Sequence, residues 1–280
     1  MRALGVHTSI KNSILNAFEE INNLQCNTFQ IFLHSPRVWQ IPEFDSETID
    51  NFRRLRQTNA LNPCIVHASY LINLISSNPK TINSSRFLLK REVLMADALG
   101  ADYYVIHLKD NASMQKEEIF DKVRIAFKKI EKLETCRILI ENTAKSKITA
   151  SIPDLVETFN NVSTEIVDGI CIDTCHLFAA GYDISKKEGI LAFKREFENL
   201  ADFDLIKLIH LNDSKTPAGS GIDRHEHIGK GYIGIKGFEN FLKIKQMSYI
   251  PLILETPKKS PQDDIKNLNV VREILRKLES

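Results

Sequence analysis

Apolar residues fall in short runs that recur from one end of the chain to the other. They are "ALGVH" (3–7), "TFQIFL" (28–33), "PCIVH" (63–67), "YYVIH" (103–107), "RILIE" (137–141), "GICID" (169–173), "LIKLIH" (205–210) and "PLILE" (251–255). Most are unbroken stretches of about four apolar residues, the pattern of parallel strands buried on both faces. Amphipathic segments with helical spacing lie between them: "SETIDNFRRLRQTNA" (46–60), "SSRFLLKREVLMADALG" (84–100) and "EEIFDKVRIAFKKIEKL" (117–133). Ser46 and Ser84 are expected helix N-caps, and Gly100 an expected stop. A further helix, "PQDDIKNLNVVREILRKLE", ends the sequence. Eight strands alternating with helices predict an α/β fold, a (β/α)8 TIM barrel spanning 1–280 as a single domain. A doubly wound open sheet is the alternative, but no glycine-rich strand-to-helix turn of the dinucleotide-binding kind accompanies it.

The polar residues that close these runs change the picture. His7, His67, His107, Glu141, Asp173, His210 and Glu255 each end an apolar stretch. In a (β/α)8 barrel those ends converge on the face where catalytic residues sit. Carboxylates crowded there would repel one another and take up protons, a cost that divalent metals remove. Two loop segments add to the set. "CIDTCH" places Asp173 and His176 three apart, just past a strand. "IDRHEH" places Asp223 and His225 two apart, on one side of an extended segment. His227 shares their parity, and is a third ligand, a supporting residue or part of a solvated loop. Mixed imidazole and carboxylate ligands suit zinc best, with manganese or iron as alternatives. His67, His107, Glu141, Asp173, His176, His210, Asp223, His225 and Glu255 are too many for one ion, and two or three fit better. Clustered ions grip phosphate oxygens and activate water.

Composition excludes some classes. The chain has 280 residues, 43 % of them hydrophobic, and a formal net charge of +1. That charge alone argues neither for nor against nucleic acid. Five cysteines, an odd number without CxxC spacing, read as reduced thiols. No apolar stretch reaches the length of a membrane helix, and "MRALGVHTSIKNS" lacks a signal-peptide run. The expectation is a soluble, monomeric protein without a membrane partner. It would be cytoplasmic, nucleoid-associated in a bacterium, or nuclear.

Longer motifs carry a resemblance. "HASYLINL" (67–74), "IENT" (140–143), "CIDTCHLFAAGYD" (171–183), "HLNDSK" (210–215), "GSGIDRHEHIGKGYIG" (219–234) and "PLILETP" (251–257) span nearly the whole chain. It resembles the endonuclease IV family of apurinic/apyrimidinic endonucleases. The resemblance implies a (β/α)8 barrel holding three zinc ions. His67 and His107 would hold one with Glu141. Glu141 would bridge to a second, completed by Asp173, His210 and Glu255. His176, Asp223 and His225 would hold the third, with His227 supporting. The implied reaction is hydrolysis of the phosphodiester 5′ to an abasic site in double-stranded DNA. It leaves a 3′-hydroxyl and a 5′-deoxyribose phosphate, and the enzyme would also clear blocked 3′ ends. Glu141 and Glu255 would orient the nucleophile.

By the same resemblance, Arg37 of "SPRVW" and Tyr70 would push into the duplex at the lesion. Lys109, Lys145, Lys147, Lys215, Arg224 and Lys230 follow strands and are expected to gather positive charge for DNA on the same face. Two loops depart from the family pattern. "HLKDN" replaces a Pro-Gly element after His107, and "ENTAKSKITA" replaces a glycine-rich loop after Glu141. The competing readings are a metal-dependent sugar isomerase or epimerase, a lesion binder without catalysis, and a structural barrel.

Overall fold

Each of the eight apolar runs forms a strand in the computed structural model, which describes residues 2–279. In chain order the elements are β1 (Leu4–Val6), α1 (Asn16–Asn23), β2 (Phe29–Ile31), α2 (Ser46–Thr58), β3 (Cys64–His67), α3 (Pro79–Ala98), β4 (Tyr103–His107), α4 (Lys116–Lys128) and β5 (Arg137–Glu141). There follow α5 (Ile152–Val162), β6 (Val167–Asp173), α6 (Thr174–Ala179), α7 (Lys187–Leu200), β7 (Ile206–His210), β8 (Asp213–Ser214), β9 (His225–Glu226), α8 (Gly234–Phe241), β10 (Leu252–Leu254) and α9 (Pro261–Glu279). They pack as two compact units. No helix among the described residues is long and apolar enough to cross a membrane.

One unit comprises His7–Ile140 and Thr158–Gly169. Its strands β2, β3 and β4 are parallel neighbours, with Ile31 opposite Val66 and His67 opposite Val105. Parallel pairing brings the strand ends level, so His67 and His107 close the same end of the unit. Phe18 of α1, Phe52 of α2 and Phe29 of β2 pack on one another edge-on or tilted, at 4.9–6.2 Å between rings. Two helix starts differ from expectation. Asp45, not Ser46, caps α2, its carboxylate accepting from Thr48 N at 2.8 Å. Ser84 lies inside α3, which begins at Pro79 with Asn78 as its cap. Proline holds a helical φ and needs no N–H in the first turn, so Asn-Pro outranks the later serines. Gly100 does end α3, with φ +72 and its N–H donated to Asp97 O. The expected helix over 117–133 stops at Lys128. Beyond it, the Asp97 carboxylate collects the N–H groups of Glu134, Thr135 and Cys136, which draws the chain into a turn.

The second unit comprises the residues up to Val6, Glu141–Glu157 and everything from Ile170 onward. Here β10 lies between β1 and β7, and β6 flanks β7, all parallel. Register places Asp173 beside His210, and His210 beside Ile253, two residues before Glu255. The short strands β8 and β9 pair antiparallel, with Ser214 opposite His225.

Candidate metal centre

The second unit gathers seven of the nine expected ligands, four of them at or just past the C-terminal ends of strands and His176, Asp223 and His225 on α6, a loop and β9. Glu141, Asp173 and His210 end β5, β6 and β7 and are completely buried. Glu255 follows β10 and is half-buried. His210 Nδ1 lies 3.1 Å from Glu141 Oε1 and 3.3 Å from Glu255 Oε2. One ligand atom from each of Glu141, Asp173, His210 and Glu255 fits within 4.8 Å of the others. Beside this group stands a second, His176, Asp223 and His225. The two carboxylate oxygens of Asp223 lie 3.1 Å from His176 Nε2 and 3.2 Å from His225 Nε2. His225 Nε2 is also 3.6 Å from Asp173 Oδ2, so the two groups adjoin.

Local structure aims these side chains. Asp173 ends β6 and also caps α6, its Oδ1 accepting from His176 N at 2.8 Å. The cap turns the chain at once and returns His176 to the site. His176 Nδ1 donates to Asn142 O, and His225 Nδ1 to Glu255 O, each at 3.0 Å. A carbonyl can only accept, so each bond places a proton on Nδ1 and leaves Nε2 to face Asp223.

Charge explains what the group wants. Burial alone would lower the pKa of His176, but Asp173, Asp223 and Glu141 raise it well above the ordinary value. Burial is likewise outweighed at His210, which lies among Cys171, Glu255 and Glu141 and is also held well up. His225 is raised to about 9, where Asp173, Asp223 and Glu255 overcome burial. Asp223 is held far below the carboxylate range because His176 and His225 outweigh its burial. The carboxylates thus recruit protons onto imidazoles, and a divalent cation would take the place of those protons. The buried His225 Nε2 faces two carboxylates without a hydrogen bond of good geometry to either, as expected of a nitrogen turned toward an ion. Cys171 stands within reach of Glu141 and His210, and Cys175 of Asp173 and His225, but both are protonated thiols in the ion-free protein. All five cysteines are buried, and burial pushes Cys171 and Cys175 up to about 12. The donor set therefore suits a borderline metal held by nitrogen and oxygen.

The first unit supplies the other two expected ligands. The rings of His67 and His107 stand edge-to-face at 5.2 Å, and His67 Nδ1 donates to Ala68 O at 2.9 Å. His7 is held differently. Its Nδ1 meets Gln30 Nε2 at 2.9 Å, and its ring packs on Phe32. His227, equally, bonds Asn267 Nδ2 through Nδ1 at 3.1 Å and joins neither group of the second unit, which fits a supporting role.

The expected DNA-facing residues are exposed to different degrees and some are already engaged. Arg37 and Tyr70 are exposed on the loops after β2 and β3. Lys109 donates to Tyr70 O at 2.8 Å, and burial lowers its pKa. Lys215 lies 3.9 Å from Glu226. Arg224 and Lys230 are exposed, and Lys147 is half-buried. The loop after Glu141, lacking glycine, is closed by Thr143 and Thr149, which bond through backbone at 3.2 Å and hydroxyls at 2.8 Å. The exposed Lys145 runs its stem along Gly221, where a Cβ would lie 3.4 Å from its Cδ.

Three residues that sequence reasoning passed over hold the site. Asn142 Oδ1 accepts from Asp173 N at 2.6 Å, and its amide donates to Asp173 O at 3.2 Å. Asn212 donates to Asp173 Oδ2 at 2.6 Å and accepts from Glu255 N at 2.7 Å, spacing the two candidate ligands. The available signal was position: each asparagine follows a strand-ending ligand by one or two residues. Asp213, fully buried, gathers the loop beyond His227. It accepts from the N–H groups of Ser214, Gly229, Gly231 and Ile233 at 2.8–3.0 Å. A Cβ at Gly231 would lie 2.3 Å from Ser214 O, so only glycine fits there. Asp213→Asn replaces one acceptor oxygen by a donor among donors. It should cost about 3 kcal/mol in denaturant unfolding, measured with the slope unchanged; a change below about 1 kcal/mol would show that the carboxylate does not hold the loop.

Residues 18–279 match the family described as xylose isomerase-like TIM barrel. A protein named probable endonuclease 4 from Aquifex aeolicus is 39 % identical over 98 % of both chains. Endonuclease IV from Thermus thermophilus superposes with a TM-score of 0.87 at 30 % identity, covering 98 % of this chain and 99 % of that one. A D-tagatose 3-epimerase-like protein reaches a TM-score of 0.73 at 20 % identity over 99 % and 98 %, a likeness of fold alone. The fold class is the TIM barrel that the strand–helix alternation predicts. The chain belongs to the endonuclease IV family.

Proposed function

We propose that this nuclease hydrolyses the phosphodiester 5′ to abasic sites in duplex DNA, leaving a 3′-hydroxyl and a 5′-deoxyribose phosphate, and that it also clears blocked 3′ ends. The observation that carries the reading is the adjoining pair of ligand groups, Glu141–Asp173–His210–Glu255 and His176–Asp223–His225. Each would hold a zinc ion. His67 and His107 would hold a third with Glu141, as the family resemblance implies. Bound ions supply Lewis acidity toward phosphate oxygens and a water acidic enough to act near neutral pH.

The chain's own residues do the rest. Glu141, buried and 3.1 Å from His210, holds its carboxyl group in place at the site. Asn212 holds the Asp173 carboxylate at 2.6 Å and the Glu255 backbone at 2.7 Å, which sets the spacing of the two residues. Arg37, Tyr70, Lys109, Lys145, Lys215 and Arg224 are the proposed DNA contacts. We take the chain to work as a single catalytic domain and a monomer in the cytoplasm. A metal-dependent sugar isomerase or epimerase is the rival on this fold, but it would use one or two ions, and the His176–Asp223–His225 group speaks for a third.

The experiment uses purified protein and a duplex with one abasic site. The expected result is incision leaving a 3′-hydroxyl, lost on prolonged chelation and restored by zinc, with close to three ions per chain by atomic emission. A lyase product, or incision indifferent to chelation, would overturn the reading. Turnover of a ketose without DNA cleavage would favour the epimerase.

A further inference from the structure

Glu92 lies in the middle of α3, 1 % exposed, among the core residues Leu88, Leu89, Val93 and Ala96. A carboxylate is costly there unless its oxygens are used. Oε1 takes His34 Nε2 at 2.7 Å. Oε2 accepts from the Ser69 backbone N–H at 3.2 Å and from the Tyr104 hydroxyl. His34 belongs to the loop after β2, and Ser69 to the loop after β3. Two further bonds complete a closed circuit. His34 Nδ1 donates to Ser35 O at 2.9 Å, and Ser69 Oγ donates to Pro36 O at 2.9 Å. Both loops are therefore fixed to α3 and to each other.

Each link stops one residue short of an exposed side chain. Pro36 precedes Arg37, and Ser69 precedes Tyr70. Val38, Trp39 and Tyr70 are 47 %, 43 % and 53 % exposed, unusual for such residues. A third loop joins them through Lys109, which donates to Tyr70 O. An arginine beside exposed aromatics suits insertion between bases or stacking on them. Unstacking a base step costs a few kcal/mol, and a prong that must first be ordered delivers less of its binding energy.

We propose that Glu92 is a positioning residue that locks the loops after β2 and β3 into one rigid, two-pronged element, Arg37–Trp39 and Tyr70, for engaging the duplex. This rests on the DNA reading above for its purpose, though not for its geometry. Trp39 is the chain's single tryptophan, so its fluorescence reports one prong directly.

The test compares wild type, Glu92→Gln and Ser69→Ala, all metal-loaded. Acrylamide quenching and anisotropy decay of Trp39 are read beside KM and kcat for an abasic duplex, and beside hydrolysis of bis(4-nitrophenyl) phosphate, which needs no prongs. Both variants should raise quenching about twofold and KM for the duplex about tenfold, with kcat, small-substrate hydrolysis and metal content unchanged. If Glu92→Gln does not fold, Ser69→Ala still tests the coupling of the loops, because it removes the direct Ser69 Oγ–Pro36 O bond and leaves only the path through Glu92. Unchanged Trp39 dynamics in a folded variant would overturn the brace, as would equal losses of kcat on both substrates. If wild type does not incise abasic DNA, the functional reading falls and the Trp39 dynamics alone judge the brace.

Discussion

Glu141→Gln is expected to reduce abasic-site incision on the order of a thousandfold, beyond the 10–100-fold typical of groups one step removed from a metal. Glu141 is fully buried, and its Oε1 lies 3.1 Å from His210 Nδ1 and 3.3 Å from His176 Nδ1. It therefore faces residues of both ligand groups. Glutamine keeps the shape, removes the charge and turns an N–H₂ toward a site built for cations. At least one ion per chain should be lost, and kcat should fall more than KM rises, because the missing charge would act through the ion at the reacting phosphate rather than on duplex docking. Atomic emission and single-turnover incision check both points. Full metal content with full activity would remove Glu141 from the centre.

The second large effect is a stability that runs opposite ways with and without metal. Chelated protein should lose stability as pH rises. A histidine whose folded-state pKa is raised contributes stability that is complete below its unfolded pKa, about 6.5, and is lost as pH climbs through the folded value. For His225 that window runs from about 6.5 to about 9. His176 and His210, raised further, extend it upward. Asp223 acts at the other end, where its depressed pKa holds stability until strong acid. His225 alone would account for about 3 kcal/mol across its window. It shares Asp173 and Asp223 with His176, so the observed steps belong to the group. Zinc-loaded protein should instead hold its stability or gain it over the same range, because metal displaces those protons more readily as pH rises. Denaturant unfolding at pH 6, 7.5 and 9, in chelator and in zinc, separates the two. A chelated protein equally stable at all three would show that the imidazoles carry no such protons.

Much of this cluster was legible because the candidate ligands end apolar runs. Tyr103–His107 and Arg137–Glu141 match the predicted strands residue for residue, since a strand buried on both faces must be apolar until the polar residue that leaves it. Asp223 and His225 showed as a pair because extended chain repeats every two residues. What the sequence hid depends on distant partners. The two-residue strands β8 and β9 have no periodicity, and only their pairing makes them strands. Asp213 reads as a loop acid, yet it is the hub of a buried turn. Glu92 sits in "KREVLMADALG", where it looks like one more charge on a solvated helix face. The cap at Ser84 failed for a local reason, since a stronger start signal stood six residues upstream at Asn78.

Asp173 serves as strand end and helix cap and stands in the proposed ion site, and Asn142 and Asn212 grip its backbone and carboxylate. On the proposed function, the mould for the ion would be cast by folding itself. A departing ion would leave its seat standing for a successor. Reloading should then proceed at the pace of diffusion and dehydration of the ion, with no segment of chain waiting to be rebuilt around it.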